Sequence, residues 1–389
     1  MALTPFIPHD RAPSDLQEAV VRLIQYDIEL HGKIPAPLRL PMLNLLRQVN
    51  SYYSNKIEGN ATDPEDVLRS QEKNFDEDLQ EIKRHIEAQK RLADDPIHKV
   101  EVCSRNAIAR MHREIYTSMS DQYLDPKLND GGATVRLVPG EFRQKDVVVG
   151  KHIPPSVEEM RSHMNWFENA YRLDRIHGLS RFFAAAGAHH RLMWIHPFLD
   201  GNGRIGRLFT DQYLKAAGMG GYGLWSMSRG FGRDVEAYYA ALRAADHPRK
   251  GDLDGRCELS DSGLLVFTRY FLETALGQVQ YFSSVLEPQL LGVRIDAYFE
   301  LRQRGVYTNR KAQKLSPLRI ESRDIYKTLL YQGDQQRADI YARLRVGERT
   351  TQSILAQMAS EGLIYLDDRK PVSLNLSPDS IEVLFPHLW

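Results

Sequence analysis

The sequence predicts a mainly α-helical protein that carries one small β-hairpin and ends in a winged helix-turn-helix. Three observations support this class. Apolar residues recur at helical spacing through most of the first 300 residues. Residues 131–155 instead combine glycines with a valine cluster, which is typical of a hairpin. Residues 321–389 contain three short helical segments followed by a second small hairpin pattern.

Helices follow one another through the first 110 residues. The first predicted helix has Ser14 as its N-cap and stops before Pro35. The second ends at Gly59, and the third has Asp63 as its cap with Pro64 at its first position. A fourth helix covers EDLQEIKRHIEAQKRLAD, which continues the same periodicity.

The helical pattern resumes after a short interruption. Helices are predicted over residues 104–119, 156–172, 179–194 and 203–217, the last with Gly218 as its C-cap. The segments DVEAYYAALRAAD and GLLVFTRYFLETALGQVQYFSSVLEPQLL indicate two more helices, separated by a polar loop. We therefore expect a helical bundle over most of the chain.

These patterns divide the chain into four parts. Residues 1–110 form an N-terminal helical region, and residues 111–300 form a helical core. Residues 301–320 are a charged, proline-containing linker, and residues 321–389 are the winged helix-turn-helix domain.

The C-terminal domain has two candidate partners. VGERT would be the turn, and residues 350–361 would be the recognition helix. The candidate DNA-facing residues are Arg349, Thr350, Thr351, Gln352, Arg369 and Lys370. Winged helices also bind proteins, and the stretch ASEGLIYLDD is acidic. The pattern therefore leaves DNA and protein open as partners.

The overall composition is that of a globular protein. The chain has 389 residues, of which 51 are Lys or Arg and 51 are Asp or Glu, so no global charge favours nucleic acid or a membrane surface. The two cysteines, Cys103 and Cys257, form no disulfide framework and fit a reducing compartment. No signal peptide and no apolar run of membrane-spanning length is recognisable, so we expect a cytoplasmic protein without a membrane partner.

The densest cluster of chemically useful residues is HHRLMWIHPFLDGNGRIGRLF, residues 189–209. Gly201, Asn202 and Gly203 open a helix, where backbone N–H groups converge on an anion. Arg204 lies in the first turn of that helix and Arg207 lies three residues further on the same face. Two guanidinium groups beside an anion nest suit a polyphosphate.

A candidate metal ligand and a candidate base precede this nest. Asp200 is a hard oxygen ligand placed where Mg²⁺ would bridge phosphates. His196 carries the side chain best suited to take a proton from a hydroxyl at neutral pH. A Gly-Asn-Gly turn or a single histidine would each be commonplace alone. The whole constellation H-x-F-x-D-G-N-G-R-x-x-R is far more specific and indicates phosphoryl or nucleotidyl transfer.

HPFLDGNGRIGR resembles the signature of the Fic family at every fixed position, and the resemblance extends from about residue 40 to about residue 285. It implies a Fic-type helical fold that transfers AMP from ATP to a Tyr, Thr or Ser hydroxyl of a protein, including the enzyme itself. By this resemblance, His196 would deprotonate the target hydroxyl, and Asp200 would hold Mg²⁺ on the α- and β-phosphates.

The resemblance also implies roles for the rest of the motif. Gly201, Asn202 and Gly203 would form the anion hole, Arg204 would contact the departing pyrophosphate, and Arg207 would contact the γ-phosphate. Relatives that act as kinases carry Lys in place of the second glycine, so Gly203 favours AMP transfer.

Two flanking segments resemble further parts of the family. GEFRQKDVVVG, residues 140–150, is similar to the flap hairpin, whose edge at Val147, Val148 and Val149 would pair with an extended target segment. EAYYAAL is similar to the segment that lines the adenine pocket, where Tyr239 would contact the base. Both segments have plain structural alternatives, and Asp246 stands where some relatives carry Asn.

The stretch SNKIEG fits the family's inhibitory motif with Ser54, Glu58 and Gly59. The resemblance implies that Glu58 pairs with Arg207 and keeps it from clamping the γ-phosphate. Taken alone, Glu58 would be a solvated charge at a helix end. With the catalytic motif present, we expect a self-inhibited enzyme, and relatives with this motif often form homodimers.

Three functions therefore remain in view. The first is a self-inhibited AMP transferase that acts on a protein. The second is an enzyme of the same fold that mainly removes AMP, with Glu58 orienting a water. The third is a DNA-binding regulator whose Fic region only senses a nucleotide. The presence of His196, Asp200 and Arg204 favours an enzyme.

Overall fold

The computed structural model describes residues 3–69, 77–117, 119, 121–125, 136–150 and 152–389. Two compact units are formed, Met1–Ile28 with Asn50–Val279 and Glu29–Val49 with Gln280–Trp389. The predicted division at 110, 300 and 320 follows sequence pattern and stays a prediction. Within the described ranges, no helix is both long enough and apolar enough to cross a membrane.

The described residues are mostly helical, which confirms the predicted fold class. The helices up to residue 303 are α1 (Ser14–Lys33), α2 (Ala36–Ile57), α3 (Pro64–Leu68), α4 (Glu77–Asp94), α5 (Arg105–Tyr116), α6 (Asp121–Leu124), α7 (Val157–Ala170), α8 (Ser180–Ile195), α9 (Asn202–Ala217), α10 (Met227–Arg233), α11 (Val235–Asp246), α12 (Asp261–Val285) and α13 (Pro288–Gln303). The predicted helix over 104–119 is shorter, because α5 begins after its N-cap Ser104 and ends at Tyr116.

Local capping explains several of these boundaries. Asp63 accepts a hydrogen bond from the Glu65 N–H, and Pro64 occupies the first helical position, as predicted. Gly218 ends α9 in the left-handed conformation, with φ of 113°. Ser156 and Glu159 form a capping box at the start of α7.

Helices α8 and α9 form the centre of the first unit and carry the motif. Both are buried along almost their whole length, including Phe183 on α8 and Leu208 and Phe209 on α9. Burial of each such side chain stabilises the unit by about 1.5–3 kcal/mol. The two helices approach closely at Gly206, where a Cβ would lie 2.7 Å from Met193 Sδ.

The predicted hairpin over 131–155 is reduced to one bridge in the part that is described. Residues 131–135 and 151 lie outside the described ranges, and Val149 pairs with His152 in an isolated antiparallel bridge. Proline at positions 139, 154 and 155 removes backbone donors, which limits any ladder. The described part, residues 136–150 and 152–155, is therefore an irregular arm with one isolated bridge.

The second unit ends in α14 (Glu321–Gln332), α15 (Arg337–Arg343), α16 (Glu348–Ser360), the antiparallel pair β1 (Ile364–Tyr365) and β2 (Ser373–Leu374), and α17 (Pro378–Leu384). The three helices and the strand pair follow the predicted order, α17 was not predicted, and the assignment to a winged helix-turn-helix remains a prediction. The prediction that Thr351 faces DNA is wrong. Thr351 is fully buried because it lies on the core side of α16 with Ile354 and Leu355.

Candidate active site

The loop between α8 and α9 places His196 at the end of α8 in a left-handed conformation, with φ of 50° and ψ of 63°. Such backbone geometry is costly for a non-glycine residue. It is maintained by reciprocal bonds across the loop: the Phe198 N–H donates to Asn202 Oδ1 at 2.9 Å, and Asn202 Nδ2 donates to Phe198 O at 2.8 Å. The Asn202 side chain thus closes the loop instead of facing a ligand.

The His196 side chain is half-buried. Its Nδ1 lies 3.4 Å from Met193 O. Burial lowers the pKa of His196 to about 4. The imidazole is therefore neutral at neutral pH, which is the form that can accept a proton.

Arg143 anchors the irregular arm to the catalytic loop, and no pattern in the sequence predicted this. Its buried side chain donates from Nε to His196 O at 2.9 Å and from Nη1 to Lys145 O at 3.1 Å, and Nη2 donates to Pro155 O. Its backbone N–H donates to Pro197 O at 2.9 Å. One guanidinium group therefore joins both ends of the arm to the residue that carries the candidate base.

The predicted anion nest lies at the start of α9. Gly201 has φ of 78°, and Tyr116 packs so closely against it that a Cβ there would overlap the phenol. A Cβ on Gly203 would overlap Glu58 Oε1 and would lie 3.1 Å from Arg207 Nη1. The carboxylate of Glu58 therefore lies directly over the nest, where an anion of a ligand would have to sit.

The structure brings Ser54, Glu58 and Arg207 together across 149 residues of sequence. Arg207 Nη2 lies 2.5 Å from Glu58 Oε1 and donates to Ser54 O at 2.8 Å, and Nε donates to Ser54 Oγ at 2.9 Å. Arg207 is 1% exposed, whereas Glu58 is 34% exposed, so the carboxylate is the more accessible partner. Gly59 follows in the left-handed region, with φ of 94°.

Electrostatics keep Glu58 ionised in this position. Burial would raise the pKa of Glu58, but the charges of Arg207 and Arg204 outweigh burial and hold the pKa below its ordinary value. Arg207 Nη1 is buried and has no hydrogen-bond partner among the described residues. This donor points to the same side as Gly203 and is available to a further anion.

Arg204 contacts three side chains, of which the sequence predicted only Asp200 as part of the site. Its Nη1 pairs with Glu81 on α4, and its Nη2 donates to Tyr116 Oη at 2.7 Å and lies 3.0 Å from Asp200 Oδ2. Burial lowers the pKa of Arg204 to about 10, so it remains charged at neutral pH. Only distant parts of the chain supply Glu81 and Tyr116, so no local pattern could have identified them.

Asp200 fits a metal that arrives with a nucleotide. Its Oδ2 accepts from Tyr116 Oη at 2.7 Å, and its side chain is 44% exposed, which leaves room for a ligand. Burial raises the pKa of this carboxyl, while the bond from Tyr116 lowers it. The described residues contain no cluster of three or more candidate metal-binding side chains. Mg²⁺ commonly uses one or two carboxylates together with substrate phosphates, so a single aspartate is adequate.

A cavity of about 1040 Å³ opens beside His196. Its walls are mainly apolar and aromatic, as is usual for ligand sites. It is lined by Val149, Gly150, His152, Ile153, Met193, Trp194, His196, Tyr239, Leu242, Arg243, Asp246 and His247. Of the three predicted flap valines, only Val149 reaches this cavity, while Val148 is 58% exposed.

Tyr239, predicted to contact the base of a nucleotide, lines this cavity together with Asp246, which stands where some relatives carry Asn. The Tyr239 hydroxyl donates to Ile57 O at 3.2 Å, immediately before the inhibitory glutamate. Asp246 Oδ1 lies 3.0 Å from His190 Nε2, so the carboxylate is already engaged on one side.

Comparisons with known proteins point to one family. Residues 102–214 match the sequence model of the Fic/DOC family. The protein adenylyltransferase Fic of Drosophila erecta is 32% identical over 173 residues, which is 43% of this chain and 32% of that protein. The protein of the same name from Nematostella vectensis is 29% identical over 236 residues, which is 56% of this chain and 52% of that protein. The chain thus spans about a third to half of these relatives.

The fold also has a solved counterpart. A Fic family protein from Desulfovibrio desulfuricans G20 superposes with a TM-score of 0.50 at 16% identity, covering 92% of this chain and 96% of that chain. At this identity the likeness concerns the fold alone.

Proposed function

We propose, from the match of residues 102–214 to the sequence model of the Fic/DOC family, that this chain transfers AMP from ATP to a Tyr, Thr or Ser hydroxyl of a protein, itself included. The observation that carries the proposal is the convergence of a neutral His196, Asp200, the nest at Gly201–Gly203 and two arginines at one helix N-terminus beside a cavity of about 1040 Å³. The names of the relatives support this reaction.

In the proposed reaction the target hydroxyl attacks the α-phosphorus and the bond to pyrophosphate breaks. His196 takes the hydroxyl proton, because its buried imidazole is neutral. The backbone amides at Gly201–Gly203 and the guanidinium groups of Arg204 and Arg207 stabilise the charge on the phosphates. Mg²⁺ held by Asp200 would neutralise charge on the α- and β-phosphates.

We propose that this chain is self-inhibited by Glu58. Its carboxylate lies over Gly203 and pairs with Arg207, so it repels a phosphate and withholds the arginine meant to bind it. Coupling of this kind typically changes an equilibrium by about 5–150-fold. Since Glu58 is partly exposed, the turn that carries it can leave without opening the core.

We also propose contacts with the two substrates, the nucleotide and the target protein. Tyr239 contacts the adenine in the cavity, and the irregular arm at Val147, Val148 and Val149 receives the target segment by strand addition. A homodimer remains a proposal that sedimentation would test. DNA binding through the exposed Arg349, Gln352, Arg369 and Lys370 is a further proposal, tested by a salt-dependent gel shift.

A second candidate activity is removal of AMP from a modified protein. The observation in its favour is the ionised Glu58 above the nest, where a carboxylate could orient a water toward a bound phosphate. Incubation with AMP-modified protein would detect this activity as release of AMP that depends on Glu58.

The decisive experiment uses ATP labelled in the α-phosphate. Purified Glu58→Gly protein is incubated with a cell lysate, and modified peptides are identified by mass spectrometry. The matched control is Glu58→Gly with His196→Ala. We expect AMP on protein hydroxyls only with the first variant, and transfer by the control or by neither variant would contradict the proposal.

A further inference from the structure

The turn that carries Glu58 is joined to helix α4 by one asparagine. Asn60 Nδ2 donates to Glu81 Oε2 at 3.2 Å and to Asp78 O at 2.9 Å. The other oxygen of Glu81 pairs with Arg204 Nη1. Glu81 therefore contacts both the inhibitory turn and the first arginine of the catalytic motif.

We propose that Asn60 and Glu81 form a latch that holds Glu58 in its blocking position, an inference that rests on the proposed self-inhibited AMP transfer. Helix α2 ends at Ile57, and Glu58 and Asn60 continue past its end with backbone bonds to Asn55 O at 2.9 and 3.1 Å. The Glu58 side chain is 34% exposed, so packing alone does not hold it. Besides the ion pair with Arg207 and the bond from Tyr239 to Ile57 O, the side-chain bonds of Asn60 tether this turn to α4.

The position of α4 makes it a firm support for this tether. Leu79, Ile82 and Ile86 on α4 are buried together with Val67 in one apolar cluster, and Tyr52 of α2 packs against it. Glu81 lies between Leu79 and Ile82 and is only 13% exposed. The latch therefore connects a movable turn to an anchored helix.

The latch also couples the two motif arginines. Glu58 forms an ion pair with Arg207, and Glu81 forms an ion pair with Arg204. Each motif arginine is therefore paired with a carboxylate from the N-terminal part of the chain. A polyphosphate that binds Arg204 would compete with Glu81. Displacement of Glu81 would break its bond to Asn60 and so weaken the hold on Glu58. Binding of a polyphosphate at Arg204 would thus favour separation of Arg207 from Glu58.

The test removes the tether and leaves the catalytic groups in place. Asn60→Ala removes the two bonds that Nδ2 donates and the bond that Oδ1 accepts from the Thr62 N–H, and it should raise AMP transfer by at least about threefold to tenfold, the effect of losing one such bond. Asn60→Asp should raise it further, since it places a carboxylate against Glu81. Ala61→Ser, at the exposed neighbouring position, is the matched control and should behave as the wild type.

Combining Asn60→Ala with Glu58→Gly shows whether Asn60 acts on the rate through Glu58 or independently of it. In a Glu58→Gly background, Asn60→Ala should change the rate by less than about twofold, because no blocking group remains to be held. Wild-type rates for Asn60→Ala, or an equal increase in both backgrounds, would overturn the proposal.

Amide hydrogen exchange tests the latch without any enzymatic assay. Asn60→Ala should accelerate exchange at residues 56–60 while exchange in α9 stays unchanged. Unchanged exchange at residues 56–60 would overturn the latch. If exchange accelerates but Glu58→Gly transfers no AMP, the latch stands and the proposed transfer is wrong.

Discussion

The catalytic loop and the inhibitory turn lie against each other but are held in different ways. Phe198 and Asn202 bond each other in both directions inside the protein, and these buried bonds brace the loop at His196. The turn at Glu58 and Asn60 is partly exposed and depends on a few side-chain bonds. Under the proposed self-inhibition, this difference would let Glu58 leave Arg207 while the loop at His196 stays in place.

The largest change in the rate of AMP transfer is expected from a substitution in the catalytic loop. In a Glu58→Gly background, His196→Ala should reduce AMP transfer by about 100-fold to 10,000-fold, because the proton acceptor is lost. ATP binding, followed by calorimetry, should change little, since His196 Nδ1 is bonded to Met193 O and is not part of the nest. Retained transfer would show that another group takes the proton.

A substitution in the turn that carries Glu58 should have the opposite effect and raise the rate of AMP transfer. Glu58→Gly should raise AMP transfer, including self-modification, by about 5–150-fold, because Arg207 becomes free to bind phosphate. Initial rates with labelled ATP measure this. Lys56→Ala on the exposed face of the same helix end is the control and should leave the rate unchanged. Equal rates for Glu58→Gly and wild type would remove Glu58 from the mechanism.

Arg143 tests whether the stiffness of the loop matters for the rate. Arg143→Lys keeps the charge but loses the fork that reaches His196 O and Pro155 O. In the Glu58→Gly background we expect kcat to fall about tenfold with little change in KM for ATP, because the base is displaced and the nest is intact. Thermal unfolding shows whether the variant is folded, and a change in KM alone would contradict this role.

The smallest effect concerns pH. Burial lowers the pKa of His196 to about 4. Since the neutral imidazole is the active form, kcat/KM of the Glu58→Gly protein should be flat between pH 6 and 8 and should fall only as pH drops toward about 4. An unshifted histidine would instead lose half its activity near pH 6.5. Circular dichroism at each pH controls for unfolding, and a midpoint near 6.5 would contradict the buried neutral base.

Much of the site could be predicted because its residues are neighbours in sequence. His196, Asp200, Arg204 and Arg207 lie on one loop and the helix that follows, so spacing alone places them on one side. Tyr116, Glu81 and Arg143 could not be predicted, because they reach the site across 88, 123 and 53 residues. The same limit explains Thr351, whose burial depends on how α16 packs within its unit.

The sequence by itself determined the helices, their caps and the order of the catalytic groups, since these depend on local spacing and on backbone preferences of glycine and proline. It also predicted Glu58 as the partner of Arg207, but only through a family resemblance. Tertiary structure alone decided that Glu58 lies over Gly203 and that Glu81 occupies Arg204. Charges far apart in the chain meet only when helices pack, and packing is what places the carboxylate of a glutamate at a helix end against Arg207 and Gly203.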